Sequence, residues 1–350
     1  MDIRGVTIED TFAEAFPMRA ARIVITAKNA RWARIAADKL TGFATSVIAC
    51  KCEAAIEREL APDETPDGRV GISVLLFTMD TESLGKRLIE RIGQTVLTCP
   101  TTSCFDGLPD RPDRLPAGKA LRVFGDRFQA SKVIAGQRYW RVPVMEGECL
   151  LQESFGVAKT GVGGGNFLIL AESADVALGA AEAAVEAIEG MPGVILPFPG
   201  GMVRSGSKVG SKAYKTLMAS TNDAYCPTLR PITKSALPEG VNSVLELVLD
   251  GLDPDAISRA MRAGIDAACI GGVRRITAGN YGGKLGPHHF QLHAIMRGEM
   301  SGRAAPKEGA PATAAAPGPQ PVPTPPNADR PAPPPQTPEP EGQRHEKDHD

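Results

Sequence analysis

The sequence lacks the features that mark membrane-spanning, secreted and nucleic-acid-binding proteins. No apolar run approaches the roughly 18 residues that a membrane helix needs, and the N-terminus, MDIRGVTIED, has neither the basic nor the apolar region of a signal peptide. The 39 Lys and Arg residues are balanced by 41 Asp and Glu, so no basic surplus favours binding to a phosphate backbone. We therefore expect a cytoplasmic protein that has neither nucleic acid nor membrane as a partner.

Signals for a metal site are also weak. The seven cysteines are scattered along the chain, and Cys50 and Cys52 have no second cysteine pair at zinc-ligand spacing. Reduced thiols in a cytosolic protein are the simple interpretation. His288, His289 and His293 have no cluster of carboxylates near them in the sequence, so a structural or surface role is favoured over metal ligation. We expect no metal.

A glycine-rich stretch at residues 161–166 suggests a phosphate-binding loop at first sight. It lacks the Gly-Lys-Ser/Thr ending of that motif, and it precedes a predicted strand instead of linking a strand to a helix. A tight turn or a close approach of the backbone to a partner is the favoured interpretation.

The apolar pattern of the first half predicts a βαββαβ unit. Short runs rich in β-branched and apolar residues predict strands at 22–27, 44–50, 70–77 and 95–98. Apolar residues at spacings of three and four predict helices that begin after Asn29 and near Thr81.

The second half repeats this order. Strands are predicted at 166–171, 193–197, 242–249 and 273–278, with helices that begin at Ser173 or Asp175 and at Asp253. The first strand and helix match those of the first half at an offset of about 145 residues, and the later pair at about 172. The difference, about 27 residues, is extra chain after Pro197.

Two βαββαβ units predict an α+β fold with two similar ferredoxin-like sandwich lobes. We expect lobes at 1–150 and 151–303, with a long insertion at 197–231 in the second lobe. Residues 304–350 contain 14 of the 30 prolines and are expected to be disordered, as a docking arm for a partner or as a solubilising extension. The alternative is a single α+β domain whose halves look alike by chance.

Glu246 is the acidic residue that stands out. It lies in a strand of aliphatic residues entered directly from the insertion, and Val244 and Val248 face the same way. Apolar surroundings would raise the pKa of its carboxyl and let the protonated form hydrogen-bond to a developing oxyanion or pass a proton. The alternative is a glutamate on the exposed face of an edge strand.

Blocks of sequence over residues 1 to 297 resemble the formylmethanofuran:tetrahydromethanopterin formyltransferase family. They include GVTIEDTFAEAF at 5–16, TGFATS at 41–46, ESFG at 153–156, GGNF at 164–167, PFPGG at 197–201, SKVGSK at 207–212, ASTNDAYCPT at 219–228 and AGNYGGKLG at 278–286. Blocks of this length are far more specific than any short motif.

This resemblance implies a reaction and its partners. A formyl group would move between the amine nitrogen of methanofuran, or a bacterial furan analogue, and N5 of tetrahydromethanopterin, during the oxidation of formaldehyde to formate. These two carriers would be co-substrates, with no metal or prosthetic group. The family's archaeal enzymes are homotetramers. The proline-rich tail suits a bacterial member that forms a complex with a formylmethanofuran hydrolase.

The resemblance also assigns a site. The family's key glutamate maps onto Glu246, which would handle the proton and stabilise the oxyanion, while the insertion would bind the carriers. Its candidate substrate-binding residues are Gly200, Gly201, Lys208, Lys212, Ser220, Thr221, Asn222, Asp223 and Tyr225. Each of these could instead only shape the loop. The alternative functions are a non-catalytic scaffold subunit of a formyltransferase/hydrolase complex and an acyltransferase that uses other carriers.

Overall fold

The chain forms a mixed α+β fold. The computed structural model describes residues 1–206, 208–299 and 301–302, and the predicted tail at 304–350 lies outside this range. The strands are β1 (Asp2–Ile3), β2 (Val6–Ile8), β3 (Phe12–Thr26), β4 (Glu53–Leu60), β5 (Gly71–Thr78), β6 (Ser103–Asp106), β7 (Arg114–Leu115), β8 (Ala130–Ile134), β9 (Gln137–Val144), β10 (Gly147–Gln152), β11 (Phe155–Gly156), β12 (Ala158–Ala171), β13 (Val194–Ile195), β14 (Lys208–Val209), β15 (Ala219–Ser220), β16 (Ser243–Gly251), β17 (Val273–Thr277) and β18 (His288–Gln291).

The helices are α1 (Ala30–Thr41), α2 (Val47–Cys50), α3 (Thr81–Arg91), α4 (Ala117–Leu121), α5 (Ala174–Ile188), α6 (Pro254–Ala268) and α7 (Leu292–Met296). Side-chain caps explain where several of them begin. The Asn29 side chain accepts from the Trp32 amide at the start of α1, and the Asp253 side chain accepts from the Ala256 amide at the start of α6. None of the described helices is long and apolar enough to cross a membrane.

In the N-terminal half, four strands pair antiparallel in the order β6-β3-β5-β4. Helices α1 and α3 connect them and pack on one face of this sheet, because alternate residues of the strands are apolar and buried. Ile23 and Ile25 of β3 and Val74 of β5 lie in this core with Leu40 of α1 and Leu88 of α3.

The C-terminal half repeats this arrangement with the antiparallel order β17-β12-β16-β13. Helices α5 and α6 cover one face. The predicted stripe Ile257, Met261 and Ile265 is buried there together with Phe167 of β12 and Leu247 of β16. The periodicity of α6 therefore predicted its buried face correctly.

Strand β12 joins the two halves, because its first part pairs with β3 and its second part pairs with β16 and β17. Its register shifts between Val162 and Gly165. A Cβ atom on Gly163 would lie 2.2 Å from the Met18 sulfur of β3, so a larger residue here would require the buried Met18 side chain to move. The glycine-rich stretch at 161–166 is thus part of a strand.

The strand expected at 44–50 was wrong. Residues Val47–Cys50 form a helical turn in which the Ser46 hydroxyl accepts from the Ile48 amide. The strand of this half is Glu53–Leu60, with the sequence EAAIEREL. This composition favours a helix, and its pairing with β5 overrides that local preference.

The strand expected at 95–98 was also wrong. A π-helical turn, Ile92–Val96, continues α3 and buries both Ile92 and Val96. The Thr95 hydroxyl donates to the Arg91 carbonyl oxygen at 2.7 Å, which supports this turn. The strand begins later, at Ser103–Asp106.

Elements that the sequence did not predict connect the halves. Strands β8, β9 and β10 continue the sheet beyond β6, and β10 runs through the lobe boundary expected at residue 150. At the other end, β2 of the N-terminus pairs parallel with β17, and β18 pairs with β3. Each half therefore contributes strands to the sheet of the other.

Candidate active site

Glu246 lies on the face of the C-terminal sheet that is opposite the helices. Its neighbours Leu247 and Leu249 point into the helix-covered core, so Glu246 points away from it. Leu168 of β12 pairs with Glu246 on one side and with Thr277 on the other. These three residues form a row across β16, β12 and β17, which we call the Glu246 row.

Burial is the main influence on the Glu246 carboxyl, and this burial raises the pKa of the carboxyl from 4.5 to about 7. Within the described part of the chain, no cation and no hydrogen-bond donor contacts this carboxyl. A group with this pKa exchanges its proton near neutral pH. The rise in pKa that the sequence predicts is thus confirmed, and Glu246 can act as an acid or as a hydrogen-bond donor.

Glu246 is not on an exposed edge, because the insertion runs beside β16. The Val203 amide donates to the Glu246 carbonyl oxygen at 2.7 Å, and the Glu246 amide donates back at 2.9 Å. Ile195 pairs with Asp250. From Ile195 to Val203 the chain advances eight residues, whereas β16 advances four from Asp250 to Glu246. The residues between them form a bulge.

Gly200 and Gly201 lie in this bulge. Their φ angles are 61° and 78°, and a Cβ atom on Gly201 would lie 2.7 Å from a methyl carbon of Val185 in α5. Both glycines line a cavity of about 510 Å³ together with Arg58 of β4. The structure therefore places them against α5 and β4, and gives Gly201 a packing role.

Asp223 binds both lysines of the insertion. The Lys212 ammonium lies 2.6 Å from its Oδ2 atom, and the Lys208 ammonium contacts its Oδ1 atom. Hydrogen bonds from Lys208 and then Lys212 hold the pKa of the Asp223 carboxyl well below its usual range. These predicted residues are thus brought together, as an ion-pair cluster that ties the β14–β15 hairpin to the chain after it.

Ser220, Thr221 and Asn222 lie beside this cluster. The Ser220 hydroxyl donates to the Gly210 carbonyl oxygen at 2.7 Å. The Thr221 hydroxyl lies 3.3 Å from the Cys226 sulfur, and the Cys226 thiol donates to the Asn222 carbonyl oxygen at 3.3 Å. These contacts give the loop its shape, and the Thr221 side chain is exposed.

Tyr225 is the predicted insertion residue that reaches the Glu246 row. It packs with Val244 against Leu168, Leu170 and Val241, and the Thr277 side chain lies close enough to its hydroxyl to lower the pKa of that group. Burial and then the charge of Glu9 raise the pKa of the Tyr225 hydroxyl. Of the predicted residues, Tyr225 and Glu246 therefore stand at opposite ends of one row, with Leu168 between them.

Sequence reasoning missed Glu14, a buried carboxylate on β3. It accepts hydrogen bonds from the amides of Tyr281 at 2.7 Å, Gly283 at 3.0 Å and Gly286 at 2.9 Å, and also from Leu285. Burial opposes its ionisation, but these four donors outweigh that effect and lower its pKa. The one available signal was that Glu14 and its donors fall within two of the blocks that carry the resemblance.

The histidines make structural contacts. A His288 ring nitrogen lies 2.6 Å from the Gly302 carbonyl oxygen, and one of His293 lies 2.9 Å from that of Ile8. Among residues 1–206, 208–299 and 301–302, no group of three or more His, Cys, Asp or Glu side chains could hold a metal ion.

Comparisons with known proteins cover nearly all of the described chain. Residues 1–144 match the family model described as formylmethanofuran-tetrahydromethanopterin formyltransferase, and residues 147–295 match the model of the proximal lobe of that enzyme. The formylmethanofuran–tetrahydromethanopterin formyltransferase of Methylococcus capsulatus is 61% identical over 300 residues, which are 85% of this chain and 100% of that relative. A subunit of the formyltransferase/hydrolase complex of Methylorubrum extorquens is 50% identical over 303 residues, 84% and 97% of the two chains.

Two solved structures share the fold. The formylmethanofuran:tetrahydromethanopterin formyltransferase from Methanosarcina barkeri has a TM-score of 0.81 at 50% identity, and the match covers 84% of this chain and 100% of that one. The formyltransferase/hydrolase complex from Methylorubrum extorquens, in complex with methylofuran, contains a chain with a TM-score of 0.82 at 49% identity, covering 85% and 98%.

Proposed function

Because this chain belongs to the formylmethanofuran–tetrahydromethanopterin formyltransferase family, we propose that it moves a formyl group between the amine nitrogen of a methanofuran-type carrier and N5 of tetrahydromethanopterin. It is an acyltransferase, and the two carriers are its co-substrates. The observation that carries the mechanism is the partly buried carboxyl of Glu246, which has no ion pair among the described residues and whose pKa is about 7.

The reaction transfers a formyl group from one amine nitrogen, where it forms an amide, to a second, free amine nitrogen. The accepting amine attacks the formyl carbon, and negative charge develops on the formyl oxygen. The donor nitrogen then leaves after it gains a proton, while the accepting nitrogen loses one. Much of the rate enhancement comes from holding the two carriers in line, because orientation can contribute about 7–11 kcal/mol to an otherwise bimolecular step.

Glu246 in its protonated form donates a hydrogen bond to the formyl oxygen as charge develops there. A single donor of this kind is typically worth about 2.7–4 kcal/mol in other enzymes. Burial keeps the proton on the carboxyl up to neutral pH, which supports this role. The same group can hand its proton to the leaving amine and recover it from the attacking one.

The insertion binds and orients the carriers around this row. Tyr225 offers a ring beside Leu168 for a flat pterin or furan. Ser220, Thr221 and Asn222 supply polar groups, and Lys212, whose side chain is 77% exposed, can exchange Asp223 for a carboxylate of a carrier tail. Lys208 would remain on Asp223 and keep the hairpin in place, while Gly200 and Gly201 shape the wall beside α5.

Each half is a ferredoxin-like lobe in this proposal, with the lobes at 1–150 and 151–303 and the insertion at 197–231. The support is that both halves have four antiparallel strands in equivalent order, β6-β3-β5-β4 and β17-β12-β16-β13, and two connecting helices on one face. In both cases the first strand of the unit is central, which is the order that a βαββαβ chain gives.

The relatives suggest a partner for this chain, and its cysteines suggest a compartment. A relative and a structural neighbour from Methylorubrum extorquens belong to a formyltransferase/hydrolase complex, which supports a similar complex for this chain. The formyl group would then pass from the pterin to the furan carrier, and hydrolysis would release formate. All seven cysteines are free, which supports the reducing environment of the cytoplasm.

One assay tests the proposal. The purified protein is mixed with formyl-tetrahydromethanopterin and the furan carrier, and the absorbance of the pterin is followed. We expect transfer by the wild type, a fall of about 10²–10³-fold in kcat for Glu246→Gln, and no change for the matched surface variant Glu90→Gln. Absence of transfer by the wild type would favour the scaffold alternative, and wild-type turnover by Glu246→Gln would refute the role of Glu246.

A further inference from the structure

The loop at residues 278–286, which we call the tyrosine loop, has two anchors. At its start, the Gly279 amide donates to the Asn166 side-chain oxygen at 2.6 Å, and the Asn166 amide group donates to the Gly279 carbonyl oxygen at 3.3 Å. Farther along, four backbone amides of the loop converge on the Glu14 carboxylate. The Asn280 side chain adds a hydrogen bond of 3.1 Å to the Thr11 hydroxyl.

This loop leaves the sheet next to the Glu246 row. It follows Thr277, which is two strands away from Glu246 in that row, or about 10 Å at the usual strand spacing. Its first anchor, Asn166, pairs with Val248, the residue two positions beyond Glu246 on the same face. The loop therefore starts at the edge of the site.

Within this loop, Tyr281 is the residue whose hydroxyl pKa is affected by the charge of Glu246. Burial first, and then the charges of Glu246 and Glu14, raise the pKa of the Tyr281 hydroxyl. Tyr281 is also the first residue whose amide binds Glu14. Its backbone is thus fixed by one carboxylate, while its side chain lies in the field of the other.

The hydrogen bonding of Glu14 suits an anchor and not a proton carrier. A carboxylate that accepts four backbone amides stays ionised, and hydrogen bonds to an ionised acceptor are about twice as strong as neutral ones. A glutamine at this position would place an NH₂ group against amide donors. The loop would then keep the hydrogen bonds to one oxygen, lose the two to the other and lose the negative charge, with almost no change in the volume of the side chain.

We propose that Glu14 is a positioning residue for formyl transfer, which holds the tyrosine loop so that Tyr281 closes one side of the Glu246 carboxyl and keeps water from it. This inference rests on the proposed function for its kinetic consequence, but its structural part does not. Among the described residues, Glu246 and Glu14 are the charged groups that act on the Tyr281 hydroxyl, and Glu14 binds the backbone amide of the same residue.

The structural part is tested by hydrogen exchange on the full chain. In the wild type, the amides of Tyr281, Gly283, Leu285 and Gly286 should be protected. In Glu14→Gln they should exchange about tenfold faster or more, because each loses a charge-assisted bond. Unchanged exchange in this variant would overturn the proposal.

The kinetic part is tested by the pH dependence of kcat. Release of the loop should lower kcat by about 10–100-fold and let water reach Glu246, so the fall in rate on the alkaline side should move to lower pH. Asn280→Ala, which weakens the loop at an exposed position, should shift the profile in the same direction by less. It serves as the second variant should Glu14→Gln fail to fold, and Glu90→Gln is the control.

The outcomes separate the two proposals. A lower kcat with an unmoved pH profile would mean that Glu14 only supports the fold, and that result would overturn the positioning role. Released amides with unchanged kcat and profile would overturn it as well. Absence of transfer by the wild type, with the exchange pattern as expected, would refute the proposed function and with it the kinetic role of Glu14, while the loop anchor would stand.

Discussion

Replacing Glu246 with glutamine should make the fold less sensitive to alkaline pH. Burial raises the pKa of this carboxyl from 4.5 to about 7, so the folded chain binds the proton more tightly than the unfolded chain does. The stabilising contribution is therefore complete below the unfolded pKa near 4.5, and it is lost as the pH rises through about 7. Glutamine has nearly the same size and no proton to lose.

The magnitude follows from the two pKa values. Because one pKa unit corresponds to about 1.4 kcal/mol, the wild type should lose about 2–3 kcal/mol of stability through this group between pH 5 and pH 8. Contributions from other titrating groups cancel when the variant is compared with the wild type at each pH. The free energy of unfolding of Glu246→Gln, relative to the wild type, should therefore rise by about 2–3 kcal/mol over this range.

Urea unfolding followed by circular dichroism at pH 5 and pH 8 measures this difference, with Glu90→Gln as the surface control. If the wild type and Glu246→Gln lose stability in parallel, Glu246 is not desolvated in the folded protein. The basis for its role as a proton donor at neutral pH would then be gone, whatever the activity of the variant.

Two further pairs of variants test the packing around the site by urea unfolding at pH 7. Gly201→Ala should lower the free energy of unfolding by about 2–4 kcal/mol, because the new methyl group would strain a left-handed backbone and also collide with α5. Gly190 has a φ of 76° but lies in open space, so Gly190→Ala should cost only about 1 kcal/mol. Equal losses in the two variants would contradict the packing role of Gly201. Arg22→Met should cost about 3–5 kcal/mol because Glu57 would be left buried without its cation, while Arg34→Met breaks only a surface pair and should change stability by less than about 1 kcal/mol. A small loss for Arg22→Met would show that other donors suffice for Glu57.

The sequence predicted the parts of the fold that local chemistry determines. Helices α1 and α6 were expected because Asn29 and Asp253 are capping residues followed by apolar stripes. Strand β4 was missed because EAAIEREL carries one β-branched residue, and nothing local opposes a helix there. It is a strand because β5 offers it a hydrogen-bonded edge, which only the assembled sheet can show.

The residues of the candidate site also fall into those that the sequence reveals and those that only the folded chain reveals. Glu246 could be singled out because a single carboxyl interrupts an aliphatic strand, and such an interruption is visible in the sequence. Glu14 could not be, because the amides that bind it lie at least 267 positions away and backbone donors leave no signature in side-chain types. The pairing of Lys208 and Lys212 with Asp223 was likewise hidden, since the sequence shows charges and not which of them meet.

The two halves differ in how a strand carboxyl is paired, and this difference bears on the role that we propose for Glu246. The N-terminal half also carries a buried carboxylate, Glu57, but Arg22 binds both of its oxygens at 2.8 and 2.6 Å, and the Ser73 hydroxyl and the Gly193 amide bind it at 2.6 Å each. That carboxylate is neutralised and joins the two halves. Glu246 has no such cation among the described residues, and burial therefore acts on its proton. Of these two carboxyls, the one with a counter-ion forms a structural link, and the one without a counter-ion can donate a proton near neutral pH.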